Sequence, residues 1–481
     1  MENFSISSFR SIEQKRQNVN RILKAFFLLT LVLVLQSCAV YRPKPLDEHA
    51  VMQTLSSPDL GSIRIKAEGI KHPILKPRNV DFEKGISAQD AAIIAVIANP
   101  AVRAERDLHG LSEAQLLQAG ILPNPTFSYS LDFPVGGNTA GTLNAYGLGL
   151  DWDIQSLLTR GARVDEARAQ AASVDLEVAW DEWQVAESAK QHVYRLQYLE
   201  KQLAVGRQEE AGLAENLNAV KKAVDMGDMT VIDLNAVDAT LRKIHTVVLD
   251  IEQKQKQERL ALNRSLGFPP DYVISLAKDI RPPSFKNLPS MEEVMDGLEG
   301  RRLDLLALRM GYQSKEAGLR AAVRAQFPKI NIGFSQARDT TDVITTGFSV
   351  SISLPFFDRN QGKIAIEKAG RRKLYDEYLN RVYQARADAA GILADINSLE
   401  KQKEAANKAV EAFQRLVQTS YRGFLEGNVD VLSYYNEVDR LFSRRLEVLK
   451  LEQDLADLHV ALEITAGEFL GSAGNEKEVP R

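Results

Sequence analysis

The chain has 481 residues, of which 26% are charged and only 7% are aromatic, so its composition favours an elongated or assembled protein of two or three domains over one large compact core. Its 60 basic and 64 acidic residues nearly balance. Because this leaves no overall positive field, the composition argues against nucleic acid as a partner.

The N-terminal segment has the pattern of a secretion signal. Four basic residues, Lys15, Arg16, Arg21 and Lys24, precede an apolar run over residues 25–35. This run is shorter than the roughly 20 apolar residues that a membrane-spanning helix needs. We therefore predict a lipoprotein signal peptide over residues 1–37.

Cys38 is the only cysteine of the chain, and it lies just after the apolar run. The stretch Leu35-Gln36-Ser37-Cys38 resembles a bacterial lipobox, which implies that the Cys38 thiol is acylated and becomes the mature N-terminus. By resemblance to enteric lipoproteins, Ala39 in place of Asp implies sorting to the outer membrane. Each acyl CH₂ buried in lipid contributes about 0.8 kcal/mol, so several chains would hold the protein firmly. The alternative is a buried cysteine in a short anchor helix.

The amino-acid composition of the chain changes at Ser87. Residues 38–86 are rich in proline and irregular, in segments such as RPKPLDE and KHPILKPRN, and this predicts an extended, lipid-anchored tether. From Ser87 the chain is rich in Ala and Leu, with a turn signal at Asn99-Pro100. Ser87 and Asp90 fit a capping box, which predicts the start of a helix.

Three pairs of segments repeat at an offset of about 200 residues. The matches place Pro125 on Pro328, Gly161 on Gly362 and Gly227 on Gly427. They indicate a tandem duplication in which each copy contains a helix, two strands, a long helix, a turn and a second long helix. We predict the copies over residues 87–285 and 286–473, followed by a C-terminal tail over residues 474–481.

Four segments alternate apolar with small or polar residues. Their apolar members are Phe127, Tyr129, Leu131 and Phe133; Tyr146, Leu148, Leu150, Trp152 and Ile154; Ile330, Ile332 and Phe334; and Phe348, Val350, Ile352, Leu354 and Phe356. Such strands fit a membrane barrel with lipid outside and water inside, and the alternative is a small soluble sandwich. Because four strands cannot close a barrel, the remaining strands must come from other chains. Three copies would give twelve strands, and two would give eight.

The predicted helices are very long. The stretch from about residue 360 to residue 419 has almost no Gly or Pro beyond Gly370 and Gly391, and as a helix it would extend roughly 90 Å. Apolar seams at spacings of three and four occur in Leu213, Leu217, Val220 and Val224; in Ala389, Ile392, Ile396 and Leu399; and in Leu451, Leu455, Leu458 and Leu462. They indicate coiled-coil packing, with ordinary long amphipathic helices as the alternative.

Two motifs carry a family resemblance. SLPFFDRNQGKIAIEKAG and YRGFLEGNVDVLSYYNEV, together with the tandem repeat, resemble the TolC family of outer-membrane efflux conduits in its lipoprotein branch. The corner Asp358 to Gly362 is similar to that of the cobalt-zinc-cadmium and copper members. The resemblance implies an α+β membrane protein, a homotrimer with a twelve-strand β-barrel and a periplasmic α-helical coiled-coil barrel. Its implied partners are outer membrane lipid, a periplasmic adaptor (membrane fusion) protein and an inner-membrane RND-type pump.

The resemblance also implies three groups of site residues. The barrel-to-helix junction comprises Pro355, Phe356, Asp358, Arg359, Asn360 and Gly362, where Asp358 or Asn360 is expected to cap the helix and Gly362 to permit close packing. The hairpin tips that would contact the adaptor comprise Gly227, Thr230, Val231, Arg422, Gly427, Asp430, Val431 and Leu432. Candidates for a periplasmic aperture are Asp430, Tyr434, Asn436, Glu437 and Asp439.

No motif for catalysis is evident. The six histidines are scattered without metal-ligand spacing, so we expect no metal, no cofactor and no enzymatic activity. Three functions remain: a conduit for heavy-metal cations, the same conduit for drugs or for type I protein secretion, and a structural periplasmic coiled-coil lipoprotein tether.

Overall fold

A computed structural model of the chain describes residues 40–278, 280, 282 and 287–470. The predicted signal peptide and Cys38 lie outside the described residues. The chain divides into one unit that ends at Thr54 and a second that begins at Leu55. Helix α1 (Glu48–Ser56) begins in the first unit after Asp47, whose carboxylate accepts hydrogen bonds from the backbone N–H of His49 and Ala50. All side chains at residues 40–54 are exposed.

The prediction of an extended tether over residues 38–86 is wrong for its C-terminal part. Helix α2 (Leu60–Glu68) begins at the N-cap Asp59 and buries Ile63 and Ala67. Farther along, Leu75 is 5% exposed and Val80 is fully buried in the main core. Proline limits regular secondary structure, but it does not prevent the apolar residues between the prolines from packing into a core.

The remaining elements follow the order that the duplication predicts. The first copy contains α3 (Ala88–Ala98), α4 (Pro100–Gly120), β1 (Thr126–Asp132), β2 (Ala145–Asp153), α5 (Gln155–Met226) and α6 (Val231–Leu266). The second contains α7 (Met291–Met295), α8 (Leu298–Arg301), α9 (Leu303–Arg324), β3 (Ile330–Arg338), β4 (Ile344–Ile352), α10 (Gln361–Leu425) and α11 (Val431–Ala466). The expected capping box of Ser87 and Asp90 starts α3, and Asn99 with Pro100 starts α4.

The four strands form one antiparallel sheet in the order β1-β2-β3-β4. Four of the residues assigned to strands by their alternation, Phe133, Ile154, Leu354 and Phe356, lie beyond the strand ends. Within the described residues, β1 and β4 each pair on one side only, so the sheet has two open edges. None of the described helices is both long and apolar enough to span a membrane.

Each copy contains a long helix that pairs with shorter helices joined end to end. At 72 and 65 residues, α5 and α10 would extend about 108 Å and 98 Å. The end of α6 meets the start of α4 at Gly267, where an added Cβ would lie 2.7 Å from the carbonyl oxygen of Ala98. Likewise, α11 meets the start of α9 at Gly467, where a Cβ would lie 2.8 Å from Cγ of Arg302. Both glycines have positive φ, so close approach and backbone conformation both exclude a side chain.

Buried side chains of α5 and α11 contact each other and so join the two copies of the repeat. Lys190 on α5 is 3% exposed, and its Nζ lies 2.8 Å from carboxylates of both Glu187 and Glu463. The ring of Phe469 lies 4.7 Å from this ammonium and contacts Trp183 edge-on at 4.8 Å. Burial, with the nearby Glu463 carboxylate, raises the pKa of Glu187 to about 8, although Lys190 opposes the shift. The sequence analysis did not predict this buried ion cluster.

Candidate functional site

The sheet has one apolar face and one polar face. The register aligns Phe127, Leu150, Phe334 and Phe348 across all four strands on the apolar face. Phe127 is 67% exposed and Phe348 71%, so this chain leaves the face uncovered. Gln336, Arg338 and Thr346 interrupt it only towards the end where the hairpin loops meet. The exposed alternation is typical of a surface that faces lipid.

The polar face is built of small residues that approach closely. Ser128, Gly149, Ser335 and Gly347 form one row across it. A Cβ on Gly147 would lie 2.7 Å from Oγ of Ser130, and one on Gly333 would collide with both Asp151 and Ser349. Glycine in these strands therefore makes room for neighbouring polar side chains where the polar face is crowded.

At the junction between β4 and α10, the last ladder bond runs from Ser353 N–H to the Lys329 carbonyl at 2.9 Å, just before Pro355. Phe356 is 70% exposed. Asp358 accepts a hydrogen bond from the backbone N–H of Asn360 at 2.8 Å. Arg359 donates its backbone N–H to Oε1 of Gln361 at 2.7 Å.

The expected side-chain cap at this junction is wrong, and the close packing expected at Gly362 stays a prediction for the assembled protein. Asn360 occupies the N-cap position with φ 60°, but its side chain makes no capping bond. Instead, its amide donates to the carbonyl of Ala322 at the end of α9, at 2.7 Å. Gly362 is exposed, and nothing in the described chain lies within 4 Å of a Cβ placed there, so it does not mark close packing within one copy. Through the Asn360 side chain, the segment after β4 is hydrogen-bonded to the end of the neighbouring helix α9.

The two hairpin tips have closely similar geometry. Gly227 and Gly427 have φ values of 85° and 76°, and the residue after each donates its N–H back to the last turn of the preceding helix, at 2.8 Å in both cases. These are Schellman-type helix ends, which glycine favours. The turn role predicted for both glycines is confirmed.

Different residues cap the helices that follow. Thr230 and Asp233 form a capping box at the start of α6. At the start of α11, Asp430 accepts hydrogen bonds from the Ser433 N–H at 2.9 Å and hydroxyl at 2.6 Å, and these bonds lower the pKa of Asp430. The first copy has Thr230 where the second has Asp430, and it thus achieves an equivalent cap by another route.

Exposed apolar residues surround both turns. Met226, Val231 and Ile232 are 70%, 61% and 75% exposed at the first tip, and Leu425 and Leu432 are 67% and 55% exposed at the second. Val431 is instead 6% exposed, so it belongs to the core between the hairpins rather than to the surface. Arg422 is exposed and has no ion pair among the residues that the structure describes.

The aperture candidates are distributed over the first three turns of α11. Tyr434 packs among aromatic rings, stacked on Phe424 at 5.9 Å and near Tyr421 at 5.8 Å. Asn436 is exposed. Glu437 is half-buried, and its Oε2 has no hydrogen-bond partner in the described structure. Asp439 forms a 2.6 Å ion pair with Lys243 of α6.

Comparison with known proteins shows a family that part of the chain resembles. Residues 294–468 match the model of the outer membrane efflux protein family. Over these residues the chain is similar to that family. No curated protein matches the sequence significantly.

Solved structures of outer membrane channels share the fold of this chain. A CusC structure superposes with a TM-score of 0.68 at 18% identity, covering 86% of this chain and 99% of that one. VceC from Vibrio cholerae gives 0.66 at 16% identity, covering 80% and 97%. MtrE from Neisseria gonorrhoeae, in an open state, gives 0.63 at 18% identity, covering 84% and 98%. The predicted α+β TolC-like fold is confirmed.

The sequence analysis missed two parts of the tip region. Lys243, the partner of Asp439, lies 196 residues from it in sequence, and no local spacing connects them. Tyr421 and Phe424 belong to the quoted tip motif, but their stacking with Tyr434 depends on how α10 and α11 turn back on each other. The short spacing between these aromatic residues at a hairpin was the one available signal.

Three of the histidines bridge helices. His109, His192 and His245 contact Asp175, Glu258 and Glu210 at 2.6, 2.6 and 2.5 Å. His72 is buried between the Ala179 carbonyl and backbone N–H groups of Ile74 and Leu75, and burial lowers its pKa. The described residues contain no group of three or more His, Cys, Asp or Glu side chains able to hold a metal ion.

Proposed function

We propose that this protein is the outer membrane channel of a tripartite efflux system, a passive conduit and not an enzyme. The observation that carries the proposal is the four-stranded sheet, with its exposed apolar face, crowded polar face and two open edges, whose strands β2 and β4 are followed in the chain by helices of 72 and 65 residues. Backbone groups on an open edge in lipid would cost several kcal/mol each. The sheet therefore requires neighbouring copies.

A homotrimer satisfies this requirement. Three copies give a closed barrel of twelve strands, with β1 of one copy beside β4 of the next. The helices near the sheet follow the same order, α4-α5-α9-α10, so α4 and α10 lie at the edges of each copy. Both carry exposed apolar residues: Leu108 and Leu111 on α4, and Tyr375, Leu379 and Tyr383 on α10.

The hairpin tips and Cys38 suggest the proposed partners. The exposed apolar tips, together with Arg422, present a surface for a periplasmic adaptor protein. The adaptor would connect the channel to an inner-membrane RND-type pump, which supplies the energy. Acylation of Cys38 would add a lipid anchor in the outer membrane.

The polar face of the sheet favours cations as cargo. Among strand residues whose register places them on this face, Asp132, Asp151 and Asp153 are acidic, and none is Lys or Arg. Repeated in three copies, these carboxylates would attract cations and repel anions. Heavy-metal cations are therefore the proposed substrate class. Organic drugs or a secreted protein remain the second candidate, because the same exposed polar wall accommodates both.

Reconstitution in planar bilayers tests the channel and its selectivity. We expect heat-modifiable, SDS-resistant trimers that form steady pores with a reversal potential favouring cations. Asp151→Asn with Asp132→Asn should shift the reversal potential towards zero, whereas Asp250→Asn, on the helical hairpin, should not. A soluble chain without conductance would favour the structural tether and contradict the proposal.

Metal content of cells tests the substrate class. Under sublethal metal, a deletion strain should accumulate zinc, cobalt, cadmium or copper relative to its parent, and the wild-type gene should restore the parent's content. Unchanged metal content in cells that express the gene, combined with accumulation of an organic dye, would assign the conduit to organic compounds.

A further inference from the structure

A basic cleft lies beside the core, away from the sheet and the hairpin tips. It is an open depression of about 720 Å³ between α2, the start of α4 and the middle of α5. Four basic side chains and two carboxylates line it: Lys66, Lys71, Arg103, Arg106, Asp107 and Glu182. We propose that this cleft binds a carboxylate-rich polymer of the periplasm, the class to which the peptide side chains of the bacterial cell wall belong.

The positive charge of the cleft is not neutralised from within. Within the described chain, Arg106 is the only one of the four cations with a carboxylate partner, Glu182, and it also donates to the carbonyl of Val96 at 2.7 Å. Lys66, Lys71 and Arg103 are exposed and form no ion pair with any residue that the structure describes. Asp107 is the only other acidic group in the lining. The cleft therefore retains a net positive charge and three free donors for an anion.

The surrounding surface extends this charge. Residues 61–78 contain five basic residues, Arg64, Lys66, Lys71, Lys76 and Arg78, and a single acidic one, Glu68. Arg78 is paired with Asp90 at 3.1 Å, but Arg64 and Lys76 are exposed and have no ion pair within the described chain. A surface of this kind favours an extended polyanion over a single small anion, because several weak contacts then act together.

The position of the cleft selects among anionic partners. Glu182 lies 27 residues after the first residue of α5, so it is roughly 40 Å along the helix axis from the end of the sheet. If the sheet occupies the outer membrane, as the proposed function requires, the cleft is too distant to contact lipid headgroups. A polymer located within the periplasm is the anionic partner that remains within reach.

Sedimentation with purified cell-wall sacculi tests the inference on the detergent-purified full chain. We expect the wild type to sediment with sacculi at low salt and to be released at high salt. The triple variant Lys66→Gln, Lys71→Gln, Arg103→Gln should bind about tenfold more weakly or worse. The control Lys256→Gln, Lys368→Gln, Lys401→Gln removes the same charge from exposed residues that also lack ion pairs, and it should bind like the wild type.

Further outcomes would overturn the inference. These are equal binding by the cleft variant and the wild type, undiminished binding to sacculi whose carboxylates have been amidated, absence of wild-type binding, and binding to phosphatidylglycerol nanodiscs in place of sacculi. Conductance of the same preparations in bilayers reports on the proposed channel separately. A trimer that conducts ions but does not bind sacculi contradicts only the proposed binding at the cleft. A chain that binds sacculi but does not conduct ions contradicts only the proposed channel function.

Discussion

Lys243 on α6 and Asp439 on α11 form a 2.6 Å ion pair that joins the two hairpins near their tips. The lysine side chain is 61% exposed and the aspartate 21%, so the pair contributes about 0.5 kcal/mol. Because α6 and α11 belong to different copies of the repeat, the pair holds the hairpins together without filling the core.

Breaking this pair should loosen the hairpin tips, which the proposed function places in the periplasm. We expect Asp439→Asn to raise the ratio of open to closed channels about twofold for each pair lost, as measured by single-channel recording. Lys254→Gln serves as the control, because Lys254 pairs with Asp250 within one helix. An equal change in both variants would mean that surface charge, and not the link between hairpins, controls the opening.

The remaining aperture candidates provide a second test. Asp430→Ala removes the cap of α11 and should destabilise the tip by about 1 kcal/mol, whereas Ser433→Ala removes only one partner of Asp430 and should cost less. Glu437→Gln should be neutral or stabilising, because Glu437 Oε2 is buried without a partner. Chemical unfolding measures these effects, and single-channel recording shows whether ion selectivity changes with them.

Substitution by alanine should change the free energy of unfolding differently at the tip glycines and at glycines within helices. Gly427→Ala places a side chain at φ 76° in otherwise open space, so only backbone strain opposes it, at about 1 kcal/mol. Gly391→Ala also meets nothing within 4 Å, but it lies inside α10, where alanine is favoured by up to about 1 kcal/mol. Opposite shifts in unfolding free energy are expected, and shifts of the same sign would contradict this explanation.

The crowded face of the sheet predicts a strong effect on assembly. Gly333→Ala should reduce heat-modifiable trimer on gels, because its Cβ would collide with Asp151 and Ser349, at a cost of about 1 to 3 kcal/mol. Gly136→Ala, in the open β1–β2 loop, should leave the trimer intact. Partial recovery in Gly333→Ala with Ser349→Gly would identify the collision as the cause.

The buried ion cluster predicts a dependence of stability on pH. Burial raises the pKa of Glu187 from 4.5 to about 8, so between these values the folded chain binds a proton that the unfolded chain does not. The contribution of Glu187 to stability is therefore greatest below pH 4.5 and declines as the pH rises to about 8. Glu187→Gln should flatten this part of the stability profile, and an unchanged slope would exclude Glu187 as its origin.

The sequence by itself determined the order of elements and the two-sided strands. Alternation over two residues gives each strand its apolar and polar faces, and glycine at Gly227 and Gly427 ends each long helix, because both are local properties of the backbone. Repetition of these local patterns was sufficient to predict the duplication. The same reasoning failed for residues 59–86, since burial of Leu75 and Val80 depends on a distant surface of α5.

The tertiary structure alone decided which distant side chains meet. Lys243 with Asp439, Lys190 with Glu463 and Asn360 with Ala322 are joined across helices, and each contact depends on how those helices are aligned. The basic cleft likewise combines residues from α2, α4 and α5. Such contacts have no period in the sequence, because their geometry is fixed only when the apolar seams of separate helices pack together.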